Sequence, residues 1–207
     1  KKAVKAVGES TLINLKDMYI EGKSNQDGQE SPFKAYIELP DKYAFEVLYG
    51  EMSVKFVVNG DTGYASGGGQ REDLPSSEID RFKKKLWSEI GGIFLLKGVL
   101  DGTVKAQYVK EGTFAGAPAE LVAAQTPQGI FLMFLDKKTG ILQALRFDSM
   151  GEKGPEDVVK MYENPKDVQG LKLPQQITVN VGGEAKSQNK IWKVKINGGI
   201  PADTFTK

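Results

Sequence analysis

The sequence predicts a mainly β fold. The expected form is a single curled antiparallel sheet of about eleven strands, an unclosed half-barrel, with a short N-terminal helix and a helical insertion plugging its concave face. Three observations predict it. Apolar and polar residues alternate with period two over most of the chain. Glycine is abundant, 24 of 207 residues against a usual ~7%, and several glycines fall between alternating runs. One stretch, 77–100, changes to helical spacing.

The elements follow in order. In 1–16, Val4, Val7, Leu12 and Leu15 fit one helix face, interrupted at Gly8. In 18–23 the period becomes two, with Met18 and Ile20 against Glu21 and Lys23. A polar loop is expected over 24–31. Phe33, Ala35, Ile37 and Leu39 alternate with Lys34, Tyr36 and Glu38, a half-buried strand. Tyr43, Phe45, Val47 and Tyr49 share one face of the next strand, and Met52, Val54, Phe56 and Val58 one face of the following. Asn59-Gly60 is a hairpin signal, since a type I′ turn needs positive φ at both central positions. A short strand over 62–66 follows, then Gly67-Gly68-Gly69 and a polar linker to Pro75.

Ser77 and Asp80 form a capping-box pattern, after which Ile79, Phe82, Leu86, Trp87 and Ile90 recur at helical spacing. Gly91-Gly92 breaks the helix, and 93–100 is a second, more apolar helical segment. Strands resume around 104–108, 121–124, 130–135, 141–147, 158–161, 173–181 and 190–196. In the last, Trp192, Val194 and Ile196 are expected on one face. In 130–135 both faces are apolar, so alternation does not say which looks inward. Nothing resembles an interdomain linker, which predicts one domain over 1–207, with 77–100 as plug or lid.

A twisted sheet of about eleven strands cannot stay flat. Its apolar face lines the concave side, and a helix only ~10–12 Å across covers part of it. What remains is either a second packed layer or an apolar cavity able to hold a ligand. The insertion is read either as core or as a movable lid.

Composition excludes several chemistries. There is no cysteine and no histidine, which removes thiol nucleophiles, disulfides, Cys/His zinc sites and His-based triads. A net charge of +1 from 28 basic and 27 acidic residues argues against nucleic acid as a partner. Only Arg71, Arg81 and Arg146 are arginine. No apolar run approaches the ~20 residues of a membrane-spanning helix. Asp61-Thr62-Gly63 matches an aspartic-protease triplet, but no second triplet exists to share a proton, and a hairpin turn explains it. The lysines 83–85 read as a solvated helix face. No catalytic residue, metal or cofactor is expected. The chain begins without methionine or a charged-then-apolar leader, which suggests that the numbering starts inside a longer gene product.

Four segments carry a resemblance. Met161-Tyr162-Glu163-Asn164 leads through Lys166-Asp167-Val168-Gln169 to Gly170-Leu171-Lys172-Leu173-Pro174. The ending runs from Val194-Lys195-Ile196-Asn197 to Ile200 and Phe205. Asn59-Gly60-Asp61-Thr62-Gly63-Tyr64 and Leu135-Asp136 with Thr139-Gly140-Ile141-Leu142 are turn patterns. Together they resemble the LolA-like lipoprotein carrier superfamily. The opening Ala6-Val7-Gly8, with Ile20-Glu21-Gly22, looks like the variant found beside secreted zinc peptidases. The family's cavity arginine has no counterpart before Arg71.

The resemblance implies an unclosed barrel with helices at its mouth, an apolar cavity for lipid or lipoprotein acyl chains, and a periplasmic or other envelope location. The expected function is therefore a non-enzymatic, carrier-like binding protein. The alternative is an accessory or sensing module that works by contact with an envelope protein. The residues expected to line the cavity or lid are Phe45, Val47, Val54, Phe56, Trp87, Phe94, Leu95, Leu132, Phe134, Ile177 and Trp192.

Overall fold

The computed structural model describes residues 1–151 and 154–206. It is mainly β. Strands β1 (Asp17–Gln26), β2 (Gln29–Glu38), β3 (Lys42–Tyr49), β4 (Met52–Asn59), β5 (Thr62–Gly67) and β6 (Gln70–Asp73) form one run of hairpins. Strands β7 (Lys105–Phe114), β8 (Ala117–Thr126), β9 (Gly129–Asp136), β10 (Leu142–Gly151), β11 (Gly154–Val168) and β12 (Leu171–Val181) form a second. The last strand, β13 (Glu184–Ile196), takes the place between β1 and β12. The sheet order is β6-β5-β4-β3-β2-β1-β13-β12-β11-β10-β9-β8-β7.

The order is open, and both end strands are blunted. β6 is four exposed polar residues. β7 carries Lys105 and Lys110, and its register shifts between Tyr108 and Lys110. Short, charged or bulged edges discourage pairing with other chains.

There are more strands than alternation shows, for a physical reason. β6 lies in the stretch read as a linker, because an exposed strand has no apolar face to signal it. The expected loop 24–31 is instead the paired end of the β1–β2 hairpin, with Ser31 buried, and the chain turns only at Asp27 (φ 52°) and Gly28 (φ 83°). The Asn59-Gly60 signal does mark a turn, but its two central residues are Gly60 and Asp61, between paired Asn59 and Thr62. The positive φ is on Gly60 (60°), the φ pattern of type II′ with glycine first.

The chain divides into two compact units. One comprises Leu15–Leu86 and Asn189–Lys207, the other Lys1–Asn14 and Trp87–Gln188. In the first, both faces of the sheet are covered. On one face Met18, Ile20, Phe33, Ala35, Ile37, Tyr43, Val47 and Val58 are buried. Helix α3 (Ser76–Trp87) buries Ile79, Phe82 and Leu86. Its Phe82 ring lies 6.1 Å from Tyr43 and 5.4 Å from Phe56. On the other face Ala44, Val57 and Tyr64 pack with Phe205, flanked by Tyr36 and Ile200. The chain end is tied there by hydrogen bonds. Lys55 Nζ donates to the Thr204 carbonyl (3.1 Å), and the Tyr64 hydroxyl donates to that of Thr206 (3.1 Å).

In the second unit, Ala124, Phe131, Met133, Leu145, Phe147, Val158, Tyr162 and Ile177 are buried on one face. Helices α1 (Lys2–Val7), α2 (Glu9–Ile13) and α4 (Ile93–Asp101) bury Ala3, Val4, Val7, Leu12, Ile93, Phe94, Leu95 and Leu96 in this unit, while Ile13 is exposed. Gly8 separates α1 from α2 with φ 117°. A 3-10 turn, Ile90–Gly92, precedes α4. Gly91 sits against Pro174, and Gly92 against Leu142 and Leu145. The expected helical insertion is therefore two helices joined by a short turn, with the glycine pair at the joint as the sequence indicates.

The motifs of the resemblance do structural work. Gln169 (φ 51°) and Gly170 (φ 86°) turn β11 into β12, after which Leu171 and Leu173 are fully buried. In the 135–142 turn, Thr139 donates to Asp136 Oδ1 from its backbone N–H (2.6 Å) and its hydroxyl (2.7 Å). Chiefly that backbone bond lowers the Asp136 pKa below its ordinary value.

Candidate functional site: an apolar ladder on β3 and β4

Directly opposed residues of an antiparallel pair lie on the same face. The register of β3 and β4 places Tyr43 opposite Val58, Phe45 opposite Phe56, and Val47 opposite Val54. These three rungs make an apolar ladder. It spans two steps of two residues, about 14 Å at ~3.4 Å per residue.

Its surroundings vary along its length. At one end Tyr43 is 2% and Val58 1% exposed, beneath Phe82 of α3. Phe45, Val54 and Phe56 are only half-buried, while Val47, opposite Val54, is 5% exposed. Phe33 flanks the ladder from β2, its ring 5.6 Å from Phe45. On the β5 side, Val54, Phe56 and Val58 pair with Gly67, Ala65 and Gly63, so little side chain encroaches there.

The lysines of α3 are not simply solvated. Lys85 Nζ lies 4.4 Å from the Phe45 ring centroid, a cation–π contact. Lys83 Nζ reaches Asp61 at 2.6 Å. All three of 83–85 are half-buried. The bond to Lys83 also lowers the Asp61 pKa. That residue, the first of the protease-like triplet, is a turn carboxylate tied to α3.

Trp87, Phe94, Leu95 and Ile177 belong to the other unit. The Trp87 indole N–H donates to Gln128 Oε1 at 2.7 Å. Phe94, Leu95 and Ile177 are 2%, 0% and 3% exposed, which makes them core. Leu132 and Phe134 are half-buried and lie on the opposite face of β9 from the buried Phe131 and Met133. Phe134 packs on Phe114 at 5.0 Å. A small recess lined by Val7, Gly91, Leu96, Leu142, Tyr162 and Pro174 has a volume of about 20 Å³, room for one water rather than an acyl chain.

Trp192 stands apart at the surface, 55% exposed, while Ile191 and Ile196 are buried. Nearby, the Glu21 carboxylate accepts from Lys193 Nζ (2.6 Å) and the Tyr19 hydroxyl (2.6 Å). The Lys193 bond, followed by that of Tyr19, holds the Glu21 pKa down to about 2. Burial, then the neighbouring Glu21, raises that of Tyr19. A carboxyl with a depressed pKa stabilises the fold above its unfolded value of ~4.3, and that contribution fades as pH falls toward the folded value. The stability gap between wild type and Glu21→Gln should therefore be full above about pH 5 and close near pH 2. Urea titrations at both pH values check this; a gap that persists at pH 2 refutes it.

The sequence reading missed one polar cluster. Lys160 is 8% exposed, and its Nζ lies 2.9 Å from Glu89 Oε1. Beside it the Tyr162 hydroxyl donates to the Ser88 carbonyl at 2.7 Å. Burial first, then the Glu89 charge, raises the Tyr162 pKa well above its ordinary value, so the hydroxyl remains a donor. The signal was present: Lys160 sits at even spacing between Val158 and Tyr162, both buried. This cluster fixes the start of the joint between α3 and α4 against β11.

Among the described residues no group of three or more acidic side chains could hold a metal ion. No described helix is long and apolar enough to cross a membrane.

No family model matches the chain, and no curated protein matches it in sequence. Solved structures do match. A LolA superfamily protein from Nitrosomonas europaea aligns with a TM-score of 0.62 at 12% identity, over 97% of this chain and 98% of that one. A DUF1329 family protein from Desulfovibrio piger gives 0.62 at 11%, over 99% and 94%. A domain from Vibrio parahaemolyticus, described as an outer membrane lipoprotein-sorting protein domain, gives 0.58 at 10%, over 92% and 89%. With sequence identity this low the likeness is one of fold: the chain has a LolA-like fold.

Proposed function

We propose that this protein is a non-enzymatic binding protein of the bacterial envelope that holds an acyl chain of a lipid or lipoprotein along the β3–β4 ladder. One observation carries the reading. Three cross-strand apolar rungs run out from beneath α3, and beyond the buried first rung Phe45, Val54 and Phe56 are only partly buried while Val47 is 5% exposed, with glycines and an alanine beside them on β5. Their length of about 14 Å is close to the ~15 Å of half a bilayer's hydrocarbon core. Each buried methylene contributes ~0.8 kcal/mol, so about ten would give about 8 kcal/mol, micromolar binding by apolar contact alone. Lys85 Nζ stands over the Phe45 ring and places a basic residue beside this rung. The lipoprotein-sorting description of the Vibrio parahaemolyticus domain supports the same class. In this reading α3 is the lid, no metal or cofactor takes part, and the chain acts as one carrier domain.

Native mass spectrometry after gentle purification should show added mass corresponding to lipid. Phe56→Ser should weaken a fluorescent fatty-acid probe about tenfold or more. A clean apo mass with no probe binding overturns the reading.

The accessory-module alternative has one observation in its favour. Trp192 is a large side chain 55% exposed, and tryptophans are enriched at protein–protein contacts. Trp192→Ala abolishing capture of an envelope partner, with probe binding intact, would favour it.

A further inference from the structure

The β3–β4 hairpin ends in Leu48, Tyr49, Gly50, Glu51 and Met52, with Tyr49 paired to Met52 and Gly50 turning the chain at φ 63°. Leu48, Tyr49 and Met52 are 37%, 46% and 48% exposed. Three of the other hairpin tips of this unit are made of Asp27-Gly28, Gly60-Asp61 and Gly68-Gly69, the small and polar residues that turns ordinarily use; the fourth, between β2 and β3, is Leu39-Pro40-Asp41, its leucine half-buried. Nothing in the turn geometry requires large apolar side chains at this one.

The tip has a second distinguishing property. From Glu46 to Ser53 there are two glutamates and no lysine or arginine. Glu46 is engaged by the Ser53 hydroxyl at 2.7 Å, and Glu51 is exposed. An apolar tip without basic residues has no electrostatic attraction to anionic head groups. Tyrosine suits the boundary between head groups and hydrocarbon, with an apolar ring and a polar hydroxyl. The tip also continues directly into the apolar rungs Val47/Val54 and Phe45/Phe56.

We propose that the β3–β4 hairpin tip, through Leu48, Tyr49 and Met52, docks into the interfacial region of a zwitterionic lipid bilayer. The inference stands on the exposure and charge of the tip itself and does not require the ladder to be occupied. Docking is weak and reversible, since three side chains bury little area.

The test is co-sedimentation of the full chain with phosphatidylcholine vesicles. The wild type should partition onto them, and the double variant Tyr49→Ser/Met52→Ser should partition about tenfold less or weaker still. Ile130→Ser, at a site 55% exposed in the other unit, should partition like wild type. Raising the salt should change nothing. Unfolding midpoints of the variants within a few degrees of wild type show that the loss is not misfolding. Wild type that stays in the supernatant overturns the proposal. So does equal loss with Ile130→Ser, or binding confined to anionic phosphatidylglycerol vesicles and abolished by salt.

Discussion

Replacing Lys160 by methionine should destabilise the protein by about 3–5 kcal/mol, the usual effect of removing one partner from a buried ion pair. The Lys160 and Glu89 side chains are 10% and 16% exposed, so water cannot easily replace the lost ammonium. The second variant makes the test specific. Lys160→Met combined with Glu89→Leu removes both charges and should recover most of the loss, because the desolvation cost of the pair disappears with it. Urea unfolding of the two single variants and the double measures the coupling. A Lys160→Met loss below about 1 kcal/mol, or no recovery in the double variant, would mean that the pair does not secure the joint between α3 and α4.

Gly8→Ala should cost about 3 kcal/mol or more, from two additive sources. The residue has φ 117° and ψ 70°, a conformation that side chains rarely adopt. A Cβ there would also overlap the Gly170 carbonyl oxygen and approach Leu171 Cδ2 to 3.3 Å. The first source is conformational strain. The second is a backbone collision, which can be relieved only by moving the α1–α2 joint away from the β11–β12 turn. Gly28→Ala separates the two. Its φ is 83°, but nothing lies within 4 Å of a Cβ at that position, so it should cost only the strain, about 1 kcal/mol. Thermal unfolding of both variants decides the point. Equal losses would show that the close approach of Gly8 to Gly170 carries no energy.

The ladder was more legible in the sequence than the rest of the candidate site. Phe45, Val47, Val54 and Phe56 share a face because strict alternation of β3 and β4 puts them there, and the hairpin brings the two faces into register. Phe94 and Leu95 were legible as apolar but not as core, since a helix hydrophobic on all sides does not announce whether it covers a ligand or the protein itself. Trp192 was misleading. The even spacing of Trp192, Val194 and Ile196 suggested one buried face, yet of the three only Ile196 is buried and the tryptophan is 55% exposed.

By itself the sequence determined the antiparallel class, the period-two faces of β2, β3 and β4, the helix breaks at Gly8 and Gly91-Gly92, and the absence of thiol and imidazole chemistry. These are local properties: the residues that decide them are neighbours along the chain. Only the tertiary structure decided which face of 130–135 is buried, since both are apolar and alternation is silent there. Only it brought Lys160 to Glu89 across 71 positions, and returned Ile200 and Phe205 to cover Ala44, Val57 and Tyr64. The physical reason is the same in each case. A residue's pattern in sequence records how much apolar surface it can bury, while the partner that buries it is chosen by packing between segments far apart in the chain.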